Sequence, residues 1–243
     1  MGAVLGLLLG AGAASYFTES IARLAFLVAL VTLLLVVTLG LIGKYYLPLR
    51  SRTTPALLLL AGLFPALAKA GELTAGPVAA SGGAIAGVMI LVLLGISAAA
   101  YLVNQFEGYG DVGMAAVAIA ALSGVAFLEG ETEALPMLLA GFGATIPLLA
   151  YTSRRPASAL VGDVGTFVLG ALIAVAAVSG GFEIPAVIIF IPYFFNLGLR
   201  ASGRSLGQVL TNTFGAGQHG SALILIGIEV VFGLIAVLIR VQG

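Results

Sequence analysis

About nine apolar stretches run through this chain, most of them near the ~17–25 residues a helix needs to cross a bilayer. They cover residues 2–17, 24–43, 55–69, 83–103, 112–128, 135–151, 160–179, 184–198 and 221–239. The expected fold class is therefore all-α, a polytopic transmembrane helix bundle of about nine helices, with a range of roughly 8–10. Segments 55–69 and 184–198 are short and predict tilted or partly inserted spans. No linker is long enough to divide the chain, so residues 1–243 read as a single membrane domain. The start, Met1-Gly2-Ala3-Val4, lacks the basic run of a signal peptide, and the first segment reads as retained although Ala11-Gly12-Ala13 resembles a cleavage site.

Composition supports this class. Hydrophobic residues form 61% of the 243 positions and charged residues 8%, where a soluble domain carries roughly a quarter charged. A formal net charge of zero gives no sign of nucleic-acid binding. With no cysteine there is neither a disulfide nor a thiolate metal site. The 34 glycines suit close helix–helix approach in lipid, where small residues let backbones pack.

Loop charges set the expected topology. Counting from the loop after the first segment, the even loops carry Lys44, Arg50, Arg52, Arg154, Arg155, Arg200 and Arg204. The odd loops carry Arg23 and Lys69 against Glu19, Glu72, Glu129, Glu131, Glu133 and Glu183, and Arg240 ends the chain on the same side. The positive-inside rule assigns the even loops and the N-terminus to the cytoplasm. The chain is expected as a multi-pass protein of the cell membrane.

Three acids then stand out on the basic side. Glu107 and Asp111 lie in Asn104-Gln105-Phe106-Glu107-Gly108-Tyr109-Gly110-Asp111-Val112-Gly113, and Asp163 opens the seventh span in Gly162-Asp163-Val164-Gly165. Carboxylate and carbonyl oxygens suit a hard cation such as Mg²⁺, which binds substrate phosphates as well. Arginine forks suit phosphate oxygens, and glycines admit backbone N–H groups to an anion. Together these residues read as a site for a phosphorylated, metal-bound substrate entering from the cytoplasm. Each also has a plainer reading. The arginines serve topology, Glu107 and Asp111 are loop acids, the glycines are turn residues, and Asp163 is a helix N-cap. Glu229, mid-span in the last segment, is either a functional intramembrane acid or a protonated one bonded to a neighbouring helix. His219 reads as incidental.

The quoted motifs resemble those of the polyprenyl-phosphate N-acetylhexosamine-1-phosphate transferases, closest to the branch acting on dolichyl phosphate. These membrane enzymes begin peptidoglycan and N-glycan lipid carriers. Val161-Gly162-Asp163-Val164-Gly165-Thr166, with Gly170 in the following apolar run, is similar to the family's Gly-Asp-(Thr/Ala/Val)-Gly-Ser motif. Tyr151-Thr152-Ser153-Arg154 fits its lead-in. Asn104 through Ala115 is similar to the family's Asn-x-x-Asp-Gly-x-x-Gly-Leu-Ala loop, with Glu for Asp and two extra residues. Ile191-Pro192-Tyr193-Phe194-Phe195-Asn196 resembles the Asn-ended helix before the family's large cytoplasmic loop. The likeness spans roughly residues 30–240.

The resemblance implies transfer of an (N-acetyl)hexosamine-1-phosphate from a nucleotide-diphosphate sugar, UDP-linked, to polyprenyl or dolichyl phosphate at the bilayer surface. It implies Mg²⁺ held by Asp163 and Asn104, with Asp163 catalytic; Glu107 and Asp111, the other carboxylates on that face, are expected to join it. Phosphate binding is expected, from their charge and place, of Lys44, Arg154, Arg155, Arg200, Arg204, Asn104 and Gly108, with a homodimer or a full-length paralogue as partner. One departure stands against it. The family carries a paired Asp-Asp where this chain reads Gly40-Leu41-Ile42-Gly43-Lys44-Tyr45, although the following Arg50-Ser51-Arg52 resembles the basic run that comes next in the family. The late Arg- or His-rich segment is reduced to Arg200, Arg204 and His219. Two alternatives follow: a non-catalytic relative serving a full-length transferase, or an ion-coupled transporter using Asp163 and Glu229.

Overall fold

The computed structural model describes residues 20–45, 54–75, 81–106, 109–152, 162–215 and 217–242. The first apolar segment, 2–17, lies outside the described residues. All regular structure among the described residues is helical: α1 (Ser20–Tyr45), α2 (Thr54–Ala61), α3 (Leu63–Ala75), α4 (Gly82–Val103), α5 (Tyr109–Glu129), α6 (Ala134–Thr152), α7 (Gly162–Gly180), α8 (Glu183–Ile189), α9 (Ile191–Ala201), α10 (Leu206–Phe214) and α11 (Gln218–Gln242). The expected all-α membrane bundle is what forms. Among the described residues, α4, α5 and α11 are each long and apolar enough to cross a membrane.

Two expected spans differ in detail. Segment 55–69 divides at Gly62 into α2 and α3, and reaches further, to Ala75. Gly62 packs where a side chain would meet the Leu93 backbone of α4, so a small residue is required at the break. Segment 184–198 breaks at Phe190 into α8 and α9, which bend by 46°. Pro192, in the first turn of α9, has no N–H to continue the ladder of α8. The late loop also holds a helix that apolar length does not predict. α10 opens on a capping box in which Ser205 Oγ accepts from Gln208 N at 3.2 Å and Gln208 Oε1 accepts from Ser205 N at 3.0 Å. It closes at Gly215 with φ +61°.

α7 is the central helix. It packs against α1, α4, α5, α6 and α8, and from Thr166 to Ala177 every residue is buried. Small residues allow this. A methyl group on Gly170 would lie 2.7 Å from Ala100 Cα and would strike the Ala99 carbonyl, so the α7 and α4 backbones are in contact there. α11 lies parallel to α5, with Gly110 against Leu225, Gly113 against Ile226 and Gly233 against Ala121.

The odd-loop charges gather at one end. Lys69 Nζ and Glu72 Oε2 pair at 3.0 Å, and Glu133 feels Glu131, Glu72 and Lys69. Arg240 Nη2 donates to Glu129 Oε2 at 3.2 Å, with Glu183 within electrostatic reach. Partial burial, then the charges of Glu131 and Glu72, raise the Glu133 carboxyl above its ordinary value. A raised carboxyl contributes stability at low pH that is lost as pH rises. Glu133→Gln should therefore unfold at higher temperature than wild type at neutral pH, and the gap should close in acid. For packing, Gly170→Ala should lose ~1–3 kcal/mol of stability. Gly143→Ala, with nothing within 4 Å, should change it by about 1 kcal/mol or less. Thermal unfolding in detergent reads both.

Candidate functional site

The end opposite that acidic cluster carries the sequence motifs. α4 and α7 run antiparallel, in a register fixed where Gly170 meets Ala99 and Ala100. One turn nearer the mouth of α7, Thr166 Oγ1 donates to Asn104 Oδ1 at 2.5 Å. A hydroxyl of the Gly-Asp motif thus bonds the amide that opens the other motif. Asp163, Thr166 and Gly170 lie at i, i+3 and i+7, on one stripe of the helix. Asp163 accordingly stands level with the loop that follows Asn104.

Several predicted residues lie partly or wholly beyond view. Glu107, Gly108, Arg154 and Arg155 lie outside the described residues, and of Lys44 and Asp163 only the backbone is described. That backbone is still informative. Gly40, one turn before Lys44, packs so closely that a methyl there would lie 3.1 Å from Val164 Cγ2. The end of α1 therefore reaches the mouth of α7, and the Gly43-Lys44 positions flank Asp163. Asp111, in the first turn of α5, is described and only 5% exposed.

Arg200 and Arg204 come together around a cleft of about 570 Å³ between the Asn104 loop, α10 and the first turns of α11. Gln105, Gln208, Thr211 and Asn212 add polar lining, and Gly110, Ala222 and Leu225 contribute the apolar part. Asn196 holds this wall in place. Buried on α9, its Oδ1 accepts from Leu206 N at 2.8 Å and its Nδ2 donates to Gln105 O at 3.4 Å. Thr211 Oγ1 and Ser221 Oγ, 2.6 Å apart, fasten α10 to α11. Below the loop, Tyr193 is packed edge-on by Phe106, centroids 5.3 Å apart, and by Phe190 at 5.2 Å. His219, in the first turn of α11, lies near this cleft without lining it.

A second hollow, about 490 Å³ and mostly apolar, runs along α4, α7, α8 and α9, lined by residues such as Val92, Ile96, Val178 and Phe194.

Thr166 and Asn196 organise the site, yet composition does not single them out as functional. The signal for Thr166 was its helical spacing from Asp163. For Asn196 only the resemblance marked the position. Among the described residues no group of three or more His, Cys, Asp or Glu stands together as a metal cage. The described oxygens at the junction of the motifs, the Asn104 amide and the Thr166 hydroxyl, are hard donors. Hard oxygens of this kind are what Mg²⁺ takes, with a carboxylate, water and substrate phosphate completing its shell.

With both motifs meeting at one end of a helical membrane bundle, comparison with known proteins decides the family. Residues 26–181 match glycosyl transferase family 4. The chain belongs to that family. The match contains Asn104, Asp163 and Thr166, and ends before Arg200 and Arg204 of the cleft. Over 114 residues the chain is 32% identical to a Methanocaldococcus jannaschii protein named as a glycosyltransferase, covering 46% of this chain and 38% of that one. Over 179 residues it is 26% identical to a Saccharolobus solfataricus protein named as a UDP-N-acetylglucosamine–dolichyl-phosphate N-acetylglucosaminephosphotransferase, covering 63% and 55%. A phospho-N-acetylmuramoyl-pentapeptide-transferase of Streptococcus pneumoniae is 27% identical over 103 residues, covering 42% and 31%. The chain thus spans only part of each relative's length. Family and apolar helices together make it a multi-pass membrane protein.

Removing the Asn196 side chain leaves the Leu206 N–H and the Gln105 carbonyl without partners, each buried group costing ~1–3 kcal/mol. Asn196→Ala should lower the thermal unfolding midpoint clearly. Asn196→Asp, which keeps the acceptor for Leu206, should lower it less.

Proposed function

We propose that the chain is a phosphosugar transferase. It would move an (N-acetyl)hexosamine-1-phosphate from a UDP-linked sugar to polyprenyl or dolichyl phosphate on the cytoplasmic side. The observation that carries this reading is the Thr166–Asn104 bond, which joins the two family motifs at one end of the bundle, beside the cleft that holds Arg200 and Arg204.

The chemistry asks little of covalent catalysis. An oxygen of the lipid phosphate attacks the phosphorus that bears the sugar, a new P–O–P linkage forms, and the old one breaks to release nucleoside monophosphate. Such transfer depends on positioning and charge stabilisation. Arg200 and Arg204 suit the nucleotide's phosphates as charged forks. The mouth of α7 offers backbone N–H groups and the positive end of its dipole to the same oxygens. Thr166 orients Asn104, so the amide meets its ligand without searching rotamers. Lys44, at the end of α1 beside that mouth, suits the lipid phosphate, and the apolar hollow along α4 suits the prenyl chain. Mg²⁺, held by Asp163 and Asn104 together with substrate oxygens, would neutralise the diphosphate and polarise the phosphorus.

Gly43 and Lys44 in place of the family's acid pair are compatible with turnover. A phosphate monoester with second pKa about 6 is largely dianionic at neutral pH and needs no base to become a nucleophile.

Purified full chain in lipid, given UDP-N-acetylglucosamine, polyprenyl phosphate and Mg²⁺, should release UMP. Asp163→Asn should slow release ~100-fold or more, the scale of one lost charge-stabilising group. Arg200→Ala should raise KM more than it lowers kcat. Thr166→Ser should retain most of the rate and Thr166→Val little. Release that is independent of Mg²⁺, or unchanged in Asp163→Asn, would overturn the reading. Nucleotide-sugar binding without any release would favour a non-catalytic partner instead.

A further inference from the structure

Midway along α11, Glu229 is fully buried, and neither carboxyl oxygen has a hydrogen-bond partner among the described residues. The expectation of a protonated acid bonded to a neighbouring helix is therefore not what the structure contains. Tyr193, also fully buried, has a hydroxyl in the same condition, and it lies within electrostatic reach of both Glu229 and Asp111. α9 and α5 both pack against α11, so these side chains share one part of the bundle interior, just beyond the break at Phe190.

A carboxylate in hydrocarbon must be neutralised by a proton or by a cation. A neutral carboxylic acid would still need an acceptor for its hydroxyl hydrogen, and Tyr193 would still need one for its own. A small cation held at the carboxylate neutralises it, and the Tyr193 hydroxyl oxygen can act as a further acceptor or ligand. It also has a way in. Leu225, one turn before Glu229 on the same helical face, lines the arginine cleft together with Ala222 and Gly110. The cleft therefore ends one helical turn above the carboxyl.

We propose that Glu229 and Tyr193 form a buried site for a small monovalent cation, either a proton or Na⁺, entered from the cleft. The site is distinct from the one assigned to the transfer reaction and does not depend on that assignment. Among the described residues, the charged or titratable groups on elements packed against α11 are few. They are Tyr109 (backbone alone described), Asp111 and Glu129 on α5, Glu183 on α8, and Tyr193 and Arg200 on α9, with His219 and Arg240 on α11 itself; α10 carries none. Glu129, Glu183 and Arg240 belong to the far end. Arg200 stands two turns beyond Tyr193, lining the cleft. Asp111 and Tyr193 remain as the near neighbours, and neither brings a positive charge.

Infrared spectroscopy of the full chain in bilayers tests this through the carbonyl stretch of a protonated carboxyl. One arm raises the pH without Na⁺; the other adds Na⁺ at fixed acidic pH. A proton site gives a band that fades reversibly with rising pH and ignores Na⁺. A sodium site gives a band that Na⁺ also removes. In both cases the band is missing from Glu229→Gln. A band that persists in Glu229→Gln, or one that responds to neither arm, overturns the proposal. Should Glu229→Gln not fold, Tyr193→Phe carries the test, since it removes only a hydroxyl. The midpoint of the responding arm should then shift by about fivefold in cation concentration, and an unmoved midpoint overturns the proposal.

Discussion

The contact of α7 with α4 at Gly170 is the constraint on which the rest of the bundle depends. Two helix backbones meet there without an intervening side chain, so the register between them cannot slide by even part of a turn. That register sets Thr166 opposite Asn104 and brings Asp163 level with the loop beyond it. It also buries α7 on nearly every side, which leaves its N-terminus at the middle of one end of the molecule. In lipid there is no hydrophobic drive between helices to achieve this, and close packing of small residues supplies it instead.

Charge follows from that geometry. The acidic loops collect at one end, where Glu129 pairs with Arg240 and Lys69 with Glu72. Arg200 and Arg204 flank a polar cleft at the other end, next to the motif-bearing loops. The paired acids and the arginine-lined cleft thus lie at opposite ends of the bundle. The broken span α8–α9 contributes twice: its second half carries Asn196, which ties down the cleft wall, and Tyr193, which lies within electrostatic reach of the intramembrane acid.

Much of this could be read from the residues. Apolar length located the helices, and alternating loop charge separated the two ends. The Gly-Asp and Asn-x-x motifs pointed to one site. What escaped has physical reasons. α10 is short, and its Leu206, Val209 and Leu210 are diluted by Gly207, Gln208 and Asn212, so hydropathy alone sees a loop. Its capping pair, Ser205 and Gln208, was the available sign. The breaks at Gly62 and Phe190 depend on what packs opposite them, which no local pattern reports. Asn196 acts by bridging Gln105 and Leu206, a relation of three separate elements. Glu229 was visible as an acid in mid-span, but whether a neighbour would satisfy it depended on the packing of α11 against α5 and α9.

The central claim is that the two motifs joined by Thr166 and Asn104 serve transfer of a sugar phosphate to a lipid. Its most direct test follows phosphorus-32 from the sugar-bearing phosphate of a nucleotide-diphosphate sugar, using the full chain in a bilayer with polyprenyl phosphate and Mg²⁺. The label should move into the organic-soluble lipid fraction, and only when polyprenyl phosphate is present. Label that stays in water, as intact nucleotide sugar or as free sugar phosphate, would contradict it.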